Sequence, residues 1–245
     1  MQRLLERLDR RLKWTLIAPQ PERAANAALG YPPLLQRALR LRADVGLIPD
    51  QPEPRHSFSA AGVWHLMATD AADEIAGMLR LYVIDRQREH FAPMDIALIS
   101  HIKFPSDDVR EQHMQVLQRF FEEKAGERYF IAAGGLFTMP AWRGSGLSAL
   151  LGVAAIAMAR IHDCRFSASY TAVRGQAQDL FNTFGGNPPI LANGQPLGPF
   201  LCGRHGFPLQ LLIFDSCDPG PRVASGVQLL VERLHTLMPR EEQAA

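Results

Sequence analysis

The sequence predicts a mixed α/β domain (an α+β arrangement) with a mainly antiparallel, twisted sheet flanked by helices, and three observations support this. Val63–Met67 and Glu74–Ile84 are apolar runs separated by Asp70-Ala71-Ala72-Asp73, the pattern of an antiparallel hairpin. A Gly-bearing apolar run, Tyr129–Thr138, leads through a turn with proline and glycine into an apolar stretch of 13 residues, Leu147–Ala159. Strand and helix patterns then alternate to the last strand at Gln210–Phe214, giving β-α-β-α-β after the hairpin.

The elements follow in chain order. Residues 1–15 read as an amphipathic helix, because Leu4, Leu5, Leu8 and Leu12 recur near helical spacing among arginines. With the linker after it, this segment fills residues 1–30 of a single domain spanning 1–245, and 239–245 is a polar tail. Its basic side is either a solvated face or a surface for a membrane or an acidic carrier protein. A second helix covers about 33–43, and the run Pro49–Pro54 breaks the pattern. Residues 107–125 alternate at helical period, and 129–138 reads as a central strand. Helices are expected at 147–162, 175–184 and 221–238, with a strand at 166–171. The stretch 185–208 holds five prolines and six glycines and reads as a long loop. A connector of that length favours a binding or lid role, and Ile190, Leu191, Leu197, Phe200 and Leu201 could line an acyl tunnel or cover a sheet edge.

Composition removes several classes of function. A net charge of +1 gives no electrostatic case for nucleic acid. The longest apolar stretch is well short of the roughly 20 residues that cross a bilayer, so no transmembrane segment is expected. The N-terminus is charged throughout, unlike a secretory signal, and Cys164, Cys202 and Cys217 form no CxxC pair. Both facts suit a reducing, cytoplasmic setting. His101 and His113 lie twelve apart with no partner cysteines, so no metal site is expected.

The chemistry concentrates at Met139-Pro140-Ala141-Trp142-Arg143-Gly144-Ser145-Gly146, between a strand and a helix. Glycines two apart let the backbone curl until several N–H groups share one concavity. The following helix adds its unpaired first-turn donors and the positive end of its dipole. Together they form an anion site suited to phosphate or pyrophosphate, or simply a tight turn into a buried helix. Arg143 can add charge, and Ser145 or Ser148 a hydroxyl. The Gly-Lys-Ser/Thr of a Walker loop is missing, and Ala149 breaks the GxGxxG dinucleotide pattern.

Arg143-Gly144-Ser145-Gly146-Leu147, after a strand and a proline, resembles the acyl-CoA-binding motif of the GNAT (Gcn5-related N-acyltransferase) superfamily. Gln176–Gly186 resembles the next GNAT motif, a helix ending before a glycine. Further runs are similar to the long-chain N-acyl amino acid synthases, relatives of the acyl-homoserine-lactone synthases. These are Leu39–Arg42 with Asp44-Val45-Gly46, Val63–Leu66 with Glu74–Leu81, and Phe200–Phe207 leading into Leu209–Asp215. The likeness covers about residues 35–215.

The resemblance implies an N-acyltransferase moving a fatty or medium-chain acyl group from acyl-CoA or an acyl-phosphopantetheine carrier protein to the amine of an amino acid or similar small molecule. It implies no metal. Residues Arg143, Gly144, Ser145, Gly146, Leu147 and Ser148 would hold the donor phosphates. The edge Leu136-Phe137-Thr138 would take the pantetheine arm as an extra strand. Two departures stand out: the glutamate many GNATs carry before the turn falls at Ala132, and the tyrosine acid of the later helix at Phe181.

His65 stands at the family's histidine position and could act as a base or pack beside Trp64. Arg80 could grip a substrate carboxylate in a bidentate contact, or belong to the framework with Asp73 or Asp85. Arg174, Gln176 and Asp179 are weaker acceptor-side candidates. His162 and Cys164 read as a helix end and a packed thiol, and nothing in the loop forces Cys202 and His205 to meet as a nucleophile pair. A short-chain acetyl-CoA-dependent N-acetyltransferase and a non-catalytic acyl-thioester sensor are the alternatives.

Overall fold

In the computed structural model the chain runs from α1 (Gln2–Asp9) into β1 (Lys13–Ile17), then α2 (Pro33–Asp44), β2 (Trp64–Thr69) and β3 (Ile75–Asp85). The second half comprises α3 (Asp107–Glu123), β4 (Tyr129–Thr138), α4 (Leu147–Ile161), β5 (Phe166–Ala172), α5 (Ala177–Thr183), β6 (Phe200–Leu201), β7 (Pro208–Asp215) and α6 (Ala224–His235). The structure describes residues 1–19, 32–44, 63–85, 102–173, 177–203 and 206–239. Pro49–Pro54, Val45, Gly46, His101, Arg174, Gln176, Arg204, His205 and the tail from 240 lie outside the described residues.

The strands form one seven-stranded sheet in the order β1-β2-β3-β4-β5-β7-β6. Every neighbouring pair is antiparallel except β4 with β5. The hairpin β2–β3 turns where expected: Asp70 Oδ1 accepts from the amides of Ala72 (2.9 Å) and Glu74 (3.0 Å), and Asp73 adopts φ +59°. An Asx-type bond of this kind lets a short polar side chain hold the turn.

One expectation is corrected at the N-terminus. The predicted helix over 1–15 stops at Asp9, and Lys13–Ile17 is an edge strand paired Trp14↔Ala68 and Leu16↔Leu66. From Lys13 onward the large apolar residues alternate, which is strand period, and the β2 edge offers a free ladder. The Asp9 carboxylate also accepts from Trp14 Nε1 at 2.8 Å, tying the new strand to the end of α1. The loop 185–208 is likewise less featureless than expected, since Phe200–Leu201 pairs with Leu209 and Pro208.

Each sheet face has its own helices. Trp64, Leu66, Leu79, Leu81 and Ile131 face α4, α1 and α6 in the main core. On the opposite face Tyr82, Ile84, Phe130 and Ala168 meet α3, while Met67, Met78 and Phe137 meet α2. Helix α4 is buried along nearly its whole length, with Leu147, Leu150, Val153 and Ala157 fully enclosed. An all-round apolar helix needs such a sandwich, and here the sheet lies on one side and α6 on the other. Ser106 caps α3 by accepting from the Val109 amide, and Asp107 and Asp108 suit its positive end.

Candidate functional site

The site begins where the sheet comes apart. Strands β4 and β5 pair only through Phe130↔Phe166, Ile131↔Ser167 and Ala132↔Ala168. Beyond that point β4 stays on β3 and β5 stays on β7. A bulge bends β4 away: Gly135 and Leu136 together oppose the single residue Leu79, and Gly135 adopts φ +62°. The wedge so opened holds a cleft of about 230 Å³, lined by Gly134, Leu136, Ile156, Tyr170, Phe181 and Phe214 among others. Along Ala133–Thr138 the edge of β4 facing this wedge has no strand partner among the described residues.

The glycine turn follows at the open end of β4. A single 3-10 turn, Pro140–Trp142, is closed by Trp142 N–H to Met139 O (2.8 Å) and Arg143 N–H to Pro140 O (3.2 Å). Gly144 at φ +74° and Gly146 at φ +90° then reverse the chain into α4. Of the five amides from Arg143 to Leu147, three donate inside the turn: Arg143, Ser145 to Trp142 O, and Leu147 to Ser145 Oγ. The amides of Gly144, Gly146 and the first-turn residues Ser148 and Ala149 have no acceptor among the described residues. The available anion nest is therefore these four N–H groups at the positive end of α4.

The other expected donor-site residues divide by role. The Ser145 hydroxyl donates to Trp142 O at 2.6 Å, so it braces the turn from inside. Ser148 and Thr138 share a hydroxyl contact of 2.8 Å that ties β4 to α4. Leu147 and Phe137 are buried core side chains on opposite sheet faces, so only their main chain can meet a ligand. Leu136 lines the cleft, and Arg143 is exposed beside the turn. Helix α1 borders the same turn: Arg7 Nη2 donates to Ser145 O at 2.7 Å, and the Arg11 guanidinium lies 4.6 Å from the Trp142 ring centroid.

His65 and Arg80 meet. They are directly opposed in the β2–β3 register, and Arg80 is opposed in turn to Gly134 on β4. Both are buried, at 0% and 5% exposure, on the sheet face away from α4, between the α2 and α3 clusters. With strands about 4.8 Å apart, Arg80 stands one strand from the wedge and His65 two. Ala132 and Phe181 occupy the positions of the missing glutamate and tyrosine. Ala132 closes the apex of the wedge and Phe181 lines its wall, so neither moves a proton.

Sequence reasoning missed a second polar group on this face. His113, read only as an unsuitable zinc ligand, is 1% exposed on α3, and its Nδ1 lies 2.9 Å from Tyr170 Oη on β5. Phe104 and Phe200 enclose the histidine, with ring centroids 5.2 Å and 4.9 Å away. The signal was present: His113 sits on the apolar stripe with Val116, Leu117 and Phe121, and a histidine there needs a polar partner. Cys164 is a packed thiol whose pKa burial pushes upward, and His162 packs against Trp64 at the end of α4, the rings tilted by 48°. No cluster of potential metal ligands occurs among the described residues. None of their helices is long and apolar enough to cross a membrane.

Burial lowers the His113 pKa to about 4. The unfolded chain binds a proton there near 6.5 that the folded chain refuses. Stability contributed by the neutral histidine is therefore present above about pH 6.5 and lost as pH falls toward 4. The expected loss over that window is about 3 kcal/mol from this residue. Urea melts at pH 7 and pH 4.5 on the protein and on His113→Phe check it, the variant showing the smaller drop.

Similarity to known proteins lies in structure. No family model and no curated protein matches the sequence. Among solved structures, FeeM, an N-acyl amino acid synthase from uncultured soil microbes, superposes with TM-score 0.53 at 8% identity, covering 85% of this chain and 92% of that one. Arylalkylamine N-acetyltransferase 2 from Aedes aegypti superposes with TM-score 0.50 at 14% identity, covering 84% and 99%. The chain has the GNAT fold, defined here by the mixed sheet and its splayed parallel pair. Within that fold an N-acyl amino acid synthase and an arylalkylamine N-acetyltransferase both share its architecture.

Proposed function

We propose that this protein is an N-acyltransferase that carries an acyl group from a pantetheine thioester to the amine of an amino acid or similar small molecule. The observation that supports it best is the coincidence of three features at one place: the unpaired β4 edge, the apolar cleft, and the four available amides. The amides and Arg143 would take the phosphate end of the donor. The β4 edge would bond the pantetheine amides as a strand does. The thioester then lies in the wedge beside Gly134, where a neutral amine can attack its carbonyl. Positioning and main-chain donors to the developing oxyanion supply most of the catalysis such a site offers. On the far face, Arg80 would grip the acceptor carboxylate with its planar fork, with His65 opposite as a candidate base.

The lining by Ile156, Phe181, Phe184 and Phe214 suits an acyl chain longer than acetyl. Arg7 on α1 and Arg11 just after it, both beside the turn, favour an acidic carrier protein as donor alongside acyl-CoA. Because such thioesters are intracellular, the reading places the protein in the cytoplasm.

The departures at Ala132 and Phe181 favour a second reading, a non-catalytic acyl-thioester sensor. Titrating the protein with octanoyl-CoA and a panel of amino acids, while following free thiol, separates the two. Amine-dependent thiol release is expected. Saturable thioester binding with no release under any amine would leave only the sensor.

A further inference from the structure

Strand β5 puts three hydroxyls on a core face. Its residues alternate between the two sides of the sheet, so Phe166, Ala168 and Tyr170 face α3 while Ser167, Ser169 and Thr171 face α4. The register fixes this: Ser167 lies beside Ile131 and Phe214, and Ser169 beside Leu212, all three partners belonging to the main core. A strand covered on both sides normally reads apolar on both. Here the side turned to the buried helix is polar.

The cleft accounts for the exception. Ser167, Ser169 and Thr171 all line it, and they are 5%, 8% and 3% exposed. The Thr171 hydroxyl donates to Gln210 O at 3.4 Å. Those of Ser167 and Ser169 have no hydrogen-bond partner among the described residues, and neither is sealed in by protein. Both therefore open on the cleft from its β5 wall. The opposite wall, made by Ile156 of α4 with Phe181 and Phe184, is apolar, and no residue lining the cleft carries a charge.

We propose that the acyl group this cleft takes carries a neutral oxygen substituent, a hydroxyl or keto group, to which Ser167 and Ser169 hydrogen-bond. This deepens the acyltransferase reading and rests on its placing the thioester beside Gly134. From that level the chain runs toward the apex of the wedge, past Ser169 and then Ser167, which is about 7 Å further along the same wall.

A plain hydrocarbon filling the cleft would expel water and leave both hydroxyls unpaired, which weakens binding. An oxygenated chain pairs them. Because a serine hydroxyl both donates and accepts, it suits a hydroxyl and a keto oxygen alike. A carboxylate or ammonium group does not fit, since no opposite charge lines the cleft. Alanine at either position would fill nearly the same space and leave nothing unpaired. The serines thus report the chemistry of the occupant and not its size.

The test measures Kd by calorimetry on the full chain, without amine, so that turnover is not needed. Octanoyl-CoA is compared with 3-hydroxy-, 5-hydroxy- and 7-hydroxyoctanoyl-CoA. At least one hydroxylated thioester is expected to bind roughly tenfold tighter than octanoyl-CoA, the scale of one hydrogen bond. In the Ser167→Ala, Ser169→Ala double variant that preference should fall to within about twofold. Thermal melts beside the titrations check that the variant is folded, and the wild-type comparison stands without it. A wild type that binds no hydroxylated chain more tightly than octanoyl-CoA, or a preference that survives in the double variant, overturns the inference. Amine-dependent thiol release would still leave the acyltransferase reading intact. A preference erased by the double variant, with no thiol released under any amine, does the reverse: the serine subsite stands and the acyltransferase reading falls. Failure to bind any of these thioesters overturns both.

Discussion

Gly144→Leu is expected to weaken octanoyl-CoA binding roughly 100-fold, equivalent to about 2.7 kcal/mol, while the chain still folds. A Cβ built on Gly144 meets nothing within 4 Å, so a side chain there projects into open space next to the available amides. The residue sits at φ +74°, where a leucine costs about 1–2 kcal/mol. That strain lowers the melting temperature by a few degrees without dismantling the core. Gly146 is the instructive contrast. At φ +90° its Cβ would stand 2.7 Å from Leu4 Cδ1, so Gly146→Val pushes the Leu4 side chain off the turn as well as straining the backbone. Thermal melts beside binding titrations distinguish them: Gly144→Leu loses affinity with a small shift in Tm, and Gly146→Val loses both. Undiminished affinity in a folded Gly144→Leu variant would remove the turn as the donor site.

Arg80→Met is expected to lower kcat/KM for a carboxylate-bearing acceptor about 100-fold, in line with losing hydrogen bonds to a charged group. Donor affinity should hold, because Arg80 faces away from the glycine turn. The comparison that decides it pairs an amino acid with its methylamide, which keeps the amine and lacks the charge. An arginine that reads the carboxylate loses its effect with the methylamide; a framework arginine costs both acceptors equally. Arg80→Lys should recover only part of the loss, since an ammonium cannot reproduce the bidentate fork. The burial of Arg80 beside His65 adds a stability cost to the methionine variant, which urea melts measure separately.

Much of the fold was legible because its signals are local. β4 spans Tyr129–Thr138 in the structure as in the sequence reading, and α4 begins at Leu147 as expected. Both boundaries are written in glycine, proline and a sharp change of apolar period. The hairpin between β2 and β3 follows from two alternating runs and an Asp-rich turn. β1 was misread because Leu12 continues the helical stripe of Leu4, Leu5 and Leu8, and only the waiting edge of β2 decides where that stripe ends.

The candidate site divides along the same line. The residue types at the turn, and the strand and helix that flank it, were fixed by the chain itself, since positive φ at Gly144 and Gly146 is a property of single residues. The availability of particular amides was decided by tertiary structure, because hydrogen bonds to Pro140, Trp142 and Ser145 occupy the others. So was the meeting of His65 with Arg80, and of Tyr170 with His113, 57 residues apart in sequence. Register and the point at which β4 leaves β5 depend on contacts between distant segments. A bulge opposite Leu79 opens the wedge, and the sequence marks it only as one glycine among several.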